Sequence, residues 1–325
     1  MHTGGEPVRI VVGGYPALPK ATLLERRRHA LEHHDDVRRL LMREPRGHFD
    51  MYGAVPLEAD APDADFAVLF LHNEGYSTMC GHAVIALGRW AVDSGRVAPR
   101  EPETRLAIQC PCGVVRLRVE VKGGRSGRVR FESVPAFALM LERSVEVPGH
   151  GRLAVDIGYG GAFYAVLPAS RLGLELKETP LAAIVERASL VSEAVRDQLA
   201  IQHPEDKDLG FLYGTILTDG SDAWSPEPSL NVCIFADRQV DRSPTGSGVT
   251  ARIALQRAKG LIQEGQERAF ESLTGARFTG RAIGRARSGV HEAVVVEVGG
   301  HAHYAGTARF TLEDDDPLAQ GFLLR

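Results

Sequence analysis

The chain has 325 residues, 44% of them apolar and 25% charged, which is ordinary globular composition and excludes disordered, collagen-like and low-complexity classes. Lys plus Arg total 38 against 42 Asp plus Glu, a formal charge of -4, so there is no general pull toward nucleic acid or anionic membrane. No run reaches the roughly 18 apolar residues of a membrane span, and the opening MHTGGEPVRIV lacks the basic-then-apolar pattern of a secretory signal. A cytoplasmic protein is expected, and at about 100–200 residues per domain the length predicts two domains.

In chain order, Val8 to Val12 reads as a strand ending at Gly13-Gly14, and Ala21 to Met42 as one amphipathic helix with Leu24, Leu31, Val37 and Leu41 near one face, closed by Pro45. Asp65 to His72 is apolar enough for a buried strand. Residues 80–94 read as a helix ended by Gly95. Short β-runs follow from Leu106 to Phe131, broken at Gly123-Gly124, and another begins at Leu153. Thr179-Pro180 has the form of an N-cap followed by Pro at the first helical position, opening a helix over Leu181 to Ile201. FLYGTILT and NVCIFA read as strands, a helix follows Thr245, and the remainder is β-rich. Many short strands with a few helices, out of regular alternation, predict an α+β fold.

The four cysteines are too few for a disulfide scaffold. Cys110 and Cys112 are one residue apart, closer than metal-knuckle spacing, and with Cys233 they read as strand or strand-end residues. Cys80 is distinguished by an internal echo. MCGHAVIALGRWAVDSG (79–95) aligns with PTGSGVTARIALQRAKG (244–260) at a constant offset, setting Cys80 on Thr245, Gly81 on Gly246 and His82 on Ser247. Each copy follows an apolar strand and opens a helix, which implies two similar halves. A Gly-rich helix start leaves N–H groups free and attracts an anion. Neither copy has the Lys of a phosphate loop or the spacing of a dinucleotide fingerprint, so a small carboxylate is the expected guest. At such a start a thiol ionises more readily, making Cys80 a candidate base. Thr245 reads equally as an N-cap or a site residue. His82 can orient a thiolate or a substrate, and Asp241, in DRSPTGSG, is either a turn residue or the carboxylate for a substrate ammonium.

HNEGYSTMCGHAVIALGRW and DRSPTGSGVTARIALQ resemble the two active-site motifs of the proline racemase family, as do HTGGEP (His2 to Pro7), DIGYGGAFYAV (Asp156 to Val166) and HYAGTARF. The resemblance implies two pseudo-symmetric halves of diaminopimelate-epimerase type, each with a sheet wrapped on a central helix. It also implies an active site in the cleft between them, no cofactor and a homodimer. We place the halves at 1–150, joined by 306–325, and at 151–305. By matching position, Gly81, His82, Gly246 and Ser247 line the carboxylate site and Asp241 contacts the ring nitrogen. Racemases of the family carry a cysteine in both helix-start slots. This sequence has Cys80 in one and Thr245 in the other, the pair of the trans-3-hydroxy-L-proline dehydratases.

The expectation is therefore dehydration of trans-3-hydroxy-L-proline, with Cys80 as base. A proline racemase or hydroxyproline 2-epimerase, and a non-catalytic amino-acid-binding protein, are the alternatives. The partner is a small-molecule substrate, 3-hydroxyproline, with no nucleic acid or membrane. His33-His34 read as a solvated helix face and Asp314 to Asp316 as an exposed acidic run. His301 and His303 could ligate a metal as a pair, but with no third ligand nearby in sequence they read as structural. His2 and Glu6 belong to the family-like opening without an assigned role, and a short segment is expected upstream of it.

Overall fold

Phe66–His72 is a run of seven buried residues, and its apolar side chains contribute about 1.5–3 kcal/mol each where fully buried. This strand lies inside the sheet of one of two units into which the computed structural model, describing residues 1–324, divides: Met1–Val129 together with the segment from His301, and Arg130–Gly300. The sequence-based boundaries at 150 and 305 fall elsewhere. Residues 148–150 are only the turn of a hairpin joining Phe137–Val147 to Gly151–Tyr159. His301 and its neighbours belong with the N-terminus because Ala302–His303 pairs with His2–Thr3.

In the first unit the sheet runs in the order Arg9–Ile10, Tyr52–Leu57, Phe66–His72, Glu103–Cys110, Gly113–Lys122. Phe66–His72 turns back as the three-residue strand Gly75–Ser77, and it pairs in parallel with Glu103–Cys110. Helix α1 (Leu23–His33) starts in a capping box, Thr22 with Glu25. α2 (Asp35–Met42) follows after a break at His34, where φ is -136° and ψ 24°. The single helix expected over Ala21 to Met42 is thus two. After the break α2 buries Arg38, which donates to the carbonyl of His72 at 2.9 Å and to Asp35 at 2.6 Å. Asn73 ties the same corner, donating to the carbonyls of Met42 and His48 and accepting from the Asp50 amide. α3 (Gly81–Asp93) is buried over its whole first half, Gly81 to Gly88, which marks a central helix rather than an amphipathic surface one.

In the second unit the order is Phe137–Val147, Gly151–Tyr159, Phe163–Pro168, Leu212–Thr218, Ser229–Phe235, Arg268–Glu271, Arg277–Ser288, His291–Gly300. α4 (Leu181–Gln198) has Pro180 itself at the cap position. Thr179 does not cap the helix, and its hydroxyl accepts from Glu175 N instead. α5 (Gly246–Ala258) is buried from Gly246 to Gln256. Arg252 within it is fully buried, so its charge needs partners. It donates to Asn231 at 3.1 Å, Ser229 at 2.8 Å and Asp222 at 3.0 Å.

The internal echo extends to topology. Ser229–Phe235 also has seven residues, turns back as the three-residue strand Gln239–Asp241, leads into a 13-residue helix, and pairs in parallel with the next strand, Arg268–Glu271. Phe66–His72, Gly75–Ser77, α3 and Glu103–Cys110 repeat that order in the first unit. No helix among the described residues is long and apolar enough to cross a membrane.

Candidate active site

Cys80, Gly81 and His82 lie in the first unit. The strand Gly75–Ser77 ends two residues before Met79, and Cys80, extended at φ -147° and ψ 103°, is the N-cap of α3. Its Sγ takes the place of the usual Ser or Asp oxygen and accepts from Ala83 N at 3.4 Å. His82 Nδ1 stands 3.2 Å from the same sulfur. The thiol therefore meets the positive end of a helix, a backbone N–H and an imidazole. His82 is held in turn by the edge-on ring of Tyr52, centroids 4.8 Å apart, and its carbonyl accepts from the Thr3 hydroxyl at 2.9 Å. Thr3, from the HTGGEP opening, and Tyr52 were not identified from sequence. Nothing local marks either as a neighbour of residue 82.

The other cysteines differ. Burial pushes the Cys110 thiol well above its ordinary value and Cys112 up to about 12, so neither supplies a thiolate near neutral pH. Cys110 ends a strand, Cys112 sits in the following turn, and Cys233 is buried mid-strand.

Asp241, Thr245, Gly246 and Ser247 lie together in the second unit. Asp241 serves the turn: one carboxylate oxygen accepts from Ser243 N at 2.7 Å, and Ser243 Oγ accepts from Thr245 N at 3.0 Å. Thr245 does not cap α5. Its backbone is at φ 63° and ψ 92°, where a β-branched side chain is strained by about 1–3 kcal/mol. Its hydroxyl is buried with no hydrogen-bond partner among the described residues. The strained backbone and unused hydroxyl favour the site reading of Thr245 over the cap reading. The amides of Gly246, Ser247 and Gly248 have no earlier helical carbonyl to bond, so the start of α5 presents donors to an anion.

Ser247 has a partner that sequence reading missed. Its Oγ lies 2.7 Å from the Tyr164 hydroxyl, and both residues are buried. The DIGYGGAFYAV segment that carries Tyr164 also grips α5 from below. A Cβ on Gly160 would stand 2.2 Å from Ser247 O and 2.7 Å from Ala251 N, both backbone atoms. Gly160→Ala should therefore lower stability by about 1–3 kcal/mol in denaturant unfolding. Gly284→Ala, with nothing within 4 Å of the new methyl, should stay within about 0.5 kcal/mol.

Among the described residues no group of three or more His, Cys, Asp or Glu side chains is placed to hold a metal ion. A third histidine does come near the HAH pair: His2 stacks on His303 with centroids 5.3 Å apart, brought there by the strand pairing. In the acidic run Asp316 pairs with Arg46 at 2.7 Å, while Asp314 and Asp315 are exposed.

Residues 1–323 match the family described as proline racemase. A trans-3-hydroxy-L-proline dehydratase of Homo sapiens is 59% identical over 331 residues, covering 100% of this chain and 93% of that protein. A 3-hydroxyproline 2-epimerase of Burkholderia multivorans is 43% identical over 326 residues, covering 100% and 97%. The crystal structure of a hydroxyproline epimerase from Agrobacterium vitis, with bound trans-4-OH-L-proline, superposes with a TM-score of 0.93 at 25% identity, covering 99% of this chain and 94% of that one. Both helix-start motifs lie inside the matched span, the fold is the α+β fold of proline racemases, and the chain belongs to the proline racemase family.

Proposed function

We infer that this chain dehydrates trans-3-hydroxy-L-proline. The Cα hydrogen and the 3-hydroxyl leave as water, giving pyrroline-2-carboxylate, whose first enamine form tautomerises to the 1-pyrroline. The observation that carries this reading is the contrast between the two helix starts. One offers a thiol in contact with an imidazole and a helix N-terminus. The other offers a threonine hydroxyl, which cannot take or return a Cα proton near neutral pH. A single proton-transfer group suffices for elimination and falls short of the two that racemisation by this family uses. The higher identity to a dehydratase than to an epimerase supports the same reading.

In this reading Cys80 takes the Cα proton as thiolate and His82 orients it. By family position Gly81, Gly246 and Ser247 line the carboxylate site, where free helix-start amides stabilise charge developing in the reaction. Asp241 meets the ring ammonium with the oxygen the turn does not use. Incubation with trans-3-hydroxy-L-proline, followed by NMR, should reveal loss of the 3-hydroxyl and formation of the pyrroline. Appearance of the C2 epimer without water loss would overturn the reading.

Thr245 then occupies the slot of the family's second thiol. Thr245→Cys should bring racemisation of L-proline, or Cα–H exchange of D-proline in D2O, from undetectable to measurable. No gain, in a folded variant that still dehydrates, would count against Thr245 as that slot.

A further inference from the structure

We propose that Tyr164 is a positioning residue: its phenol donates to Ser247 Oγ, so that the Ser247 hydroxyl is turned toward the bound carboxylate. This rests on the reading above that Ser247 lines the carboxylate site. The two oxygens lie 2.7 Å apart and either could be the donor. A serine has one hydrogen. Spent on Tyr164, it would leave only lone pairs to face an anion. Given by Tyr164, it frees the Ser247 hydrogen for the carboxylate, and the two bonds in series strengthen each other. An anionic ligand therefore selects the direction in which Tyr164 donates.

The surroundings fit a fixed donor. Tyr164 is fully buried, its ring edge-on to Tyr213 at 5.8 Å, so packing rather than the hydroxyl sets where the ring stands. Burial raises the phenol well above its ordinary range, so it stays protonated and able to donate near neutral pH. The close approach of Gly160 to the Ser247 carbonyl fixes the backbone on both sides of the bond.

The test is a double-mutant cycle on L-proline binding, a ligand with no hydroxyl to eliminate, measured calorimetrically in wild type, Tyr164→Phe, Ser247→Ala and the double variant. Tyr164→Phe should weaken binding by about 3- to 10-fold, the worth of one hydrogen bond. In turnover of trans-3-hydroxy-L-proline its loss should fall on KM rather than kcat. Ser247→Ala should weaken binding at least as much, and the double variant no further. An unchanged affinity for Tyr164→Phe, or an equal loss when Ser247 is already alanine, would overturn the proposal, as would an unchanged affinity for Ser247→Ala. Circular dichroism and thermal melts of each variant separate loss of fold from loss of contact. Wild type that binds L-proline and completes the cycle as expected, yet releases no water from trans-3-hydroxy-L-proline, would instead sink the dehydratase reading and leave the role of Tyr164 standing. Wild type that binds no L-proline would overturn the proposal and leave the dehydratase reading to the product NMR.

Discussion

Cys80→Ser should turn over trans-3-hydroxy-L-proline at less than about a hundredth of the wild-type rate while remaining folded, since a positioned acid–base group contributes about 10²–10⁴-fold. The substitution is chosen for its two separable consequences. A serine hydroxyl stays protonated near neutral pH, so the base is lost. As an N-cap, however, serine is among the best residues, and its oxygen can accept from Ala83 N where Sγ does now. Thermal stability should therefore hold or rise. Cys80→Ala removes both functions and should also lose about 0.5–2 kcal/mol of stability through the missing cap. Retention of more than a hundredth of the rate by the serine variant would mean that Cys80 is not the base.

The second large effect concerns the ring. In an L-proline the carboxylate lies on one face and the Cα hydrogen on the other. A 3-hydroxyl trans to the carboxylate shares the hydrogen's face, so elimination is syn and one group can serve both steps. In the proposed mechanism that group is Cys80, which as thiolate would take the proton and, now a thiol, return it to the departing hydroxide, which leaves as water. In the cis-3 isomer the hydroxyl lies on the face opposite that hydrogen, out of reach of the group that took the proton. Turnover of trans-3-hydroxy-L-proline should thus exceed that of the cis isomer by about 100-fold or more, the worth of the missing proton donor. trans-4-Hydroxy-L-proline should lose no water, because its hydroxyl is not β to the carbanion. Comparable rates with the two 3-hydroxy isomers, read by product NMR, would refute the one-thiol mechanism even with dehydration itself intact.

Much of the site was legible in the sequence because its signals are local. An apolar run, a Gly-containing turn and a helical pattern within twenty residues are enough to place Cys80 at the start of α3 and Thr245 at the start of α5, and both helices begin where the pattern predicts. The repeat could be read the same way, since each half spells the same strand, turn and helix. The Asx role of Asp241 was one of two local readings, and the bond to Ser243 two residues on adopts it.

Tertiary structure decided what depends on residues far apart in the chain. Thr245 and a capping threonine have the same sequence context. The positive φ and the unpartnered hydroxyl follow from how the turn is held by Asp241, Ser243 and Asn231, the last donating to the Pro244 carbonyl at 3.2 Å. Tyr164 reaches Ser247 across 83 positions and Thr3 reaches His82 across 79. Such pairings are set by sheet order and helix packing, and periodicity carries no trace of them. The break at His34 is of the same kind. The amphipathic pattern continues through it, while the partners of the buried Arg38, the carbonyls of His72 and Asn73, lie more than thirty residues away. By itself, then, the sequence determined which residues stand at the two helix starts, and so which proton chemistry each offers, because helix starts are written in neighbouring residues. Which hydroxyls and carbonyls hold those residues in place was decided only by the folded chain, because a buried polar group is satisfied by whatever the packing brings within about 3 Å, whatever its distance in sequence.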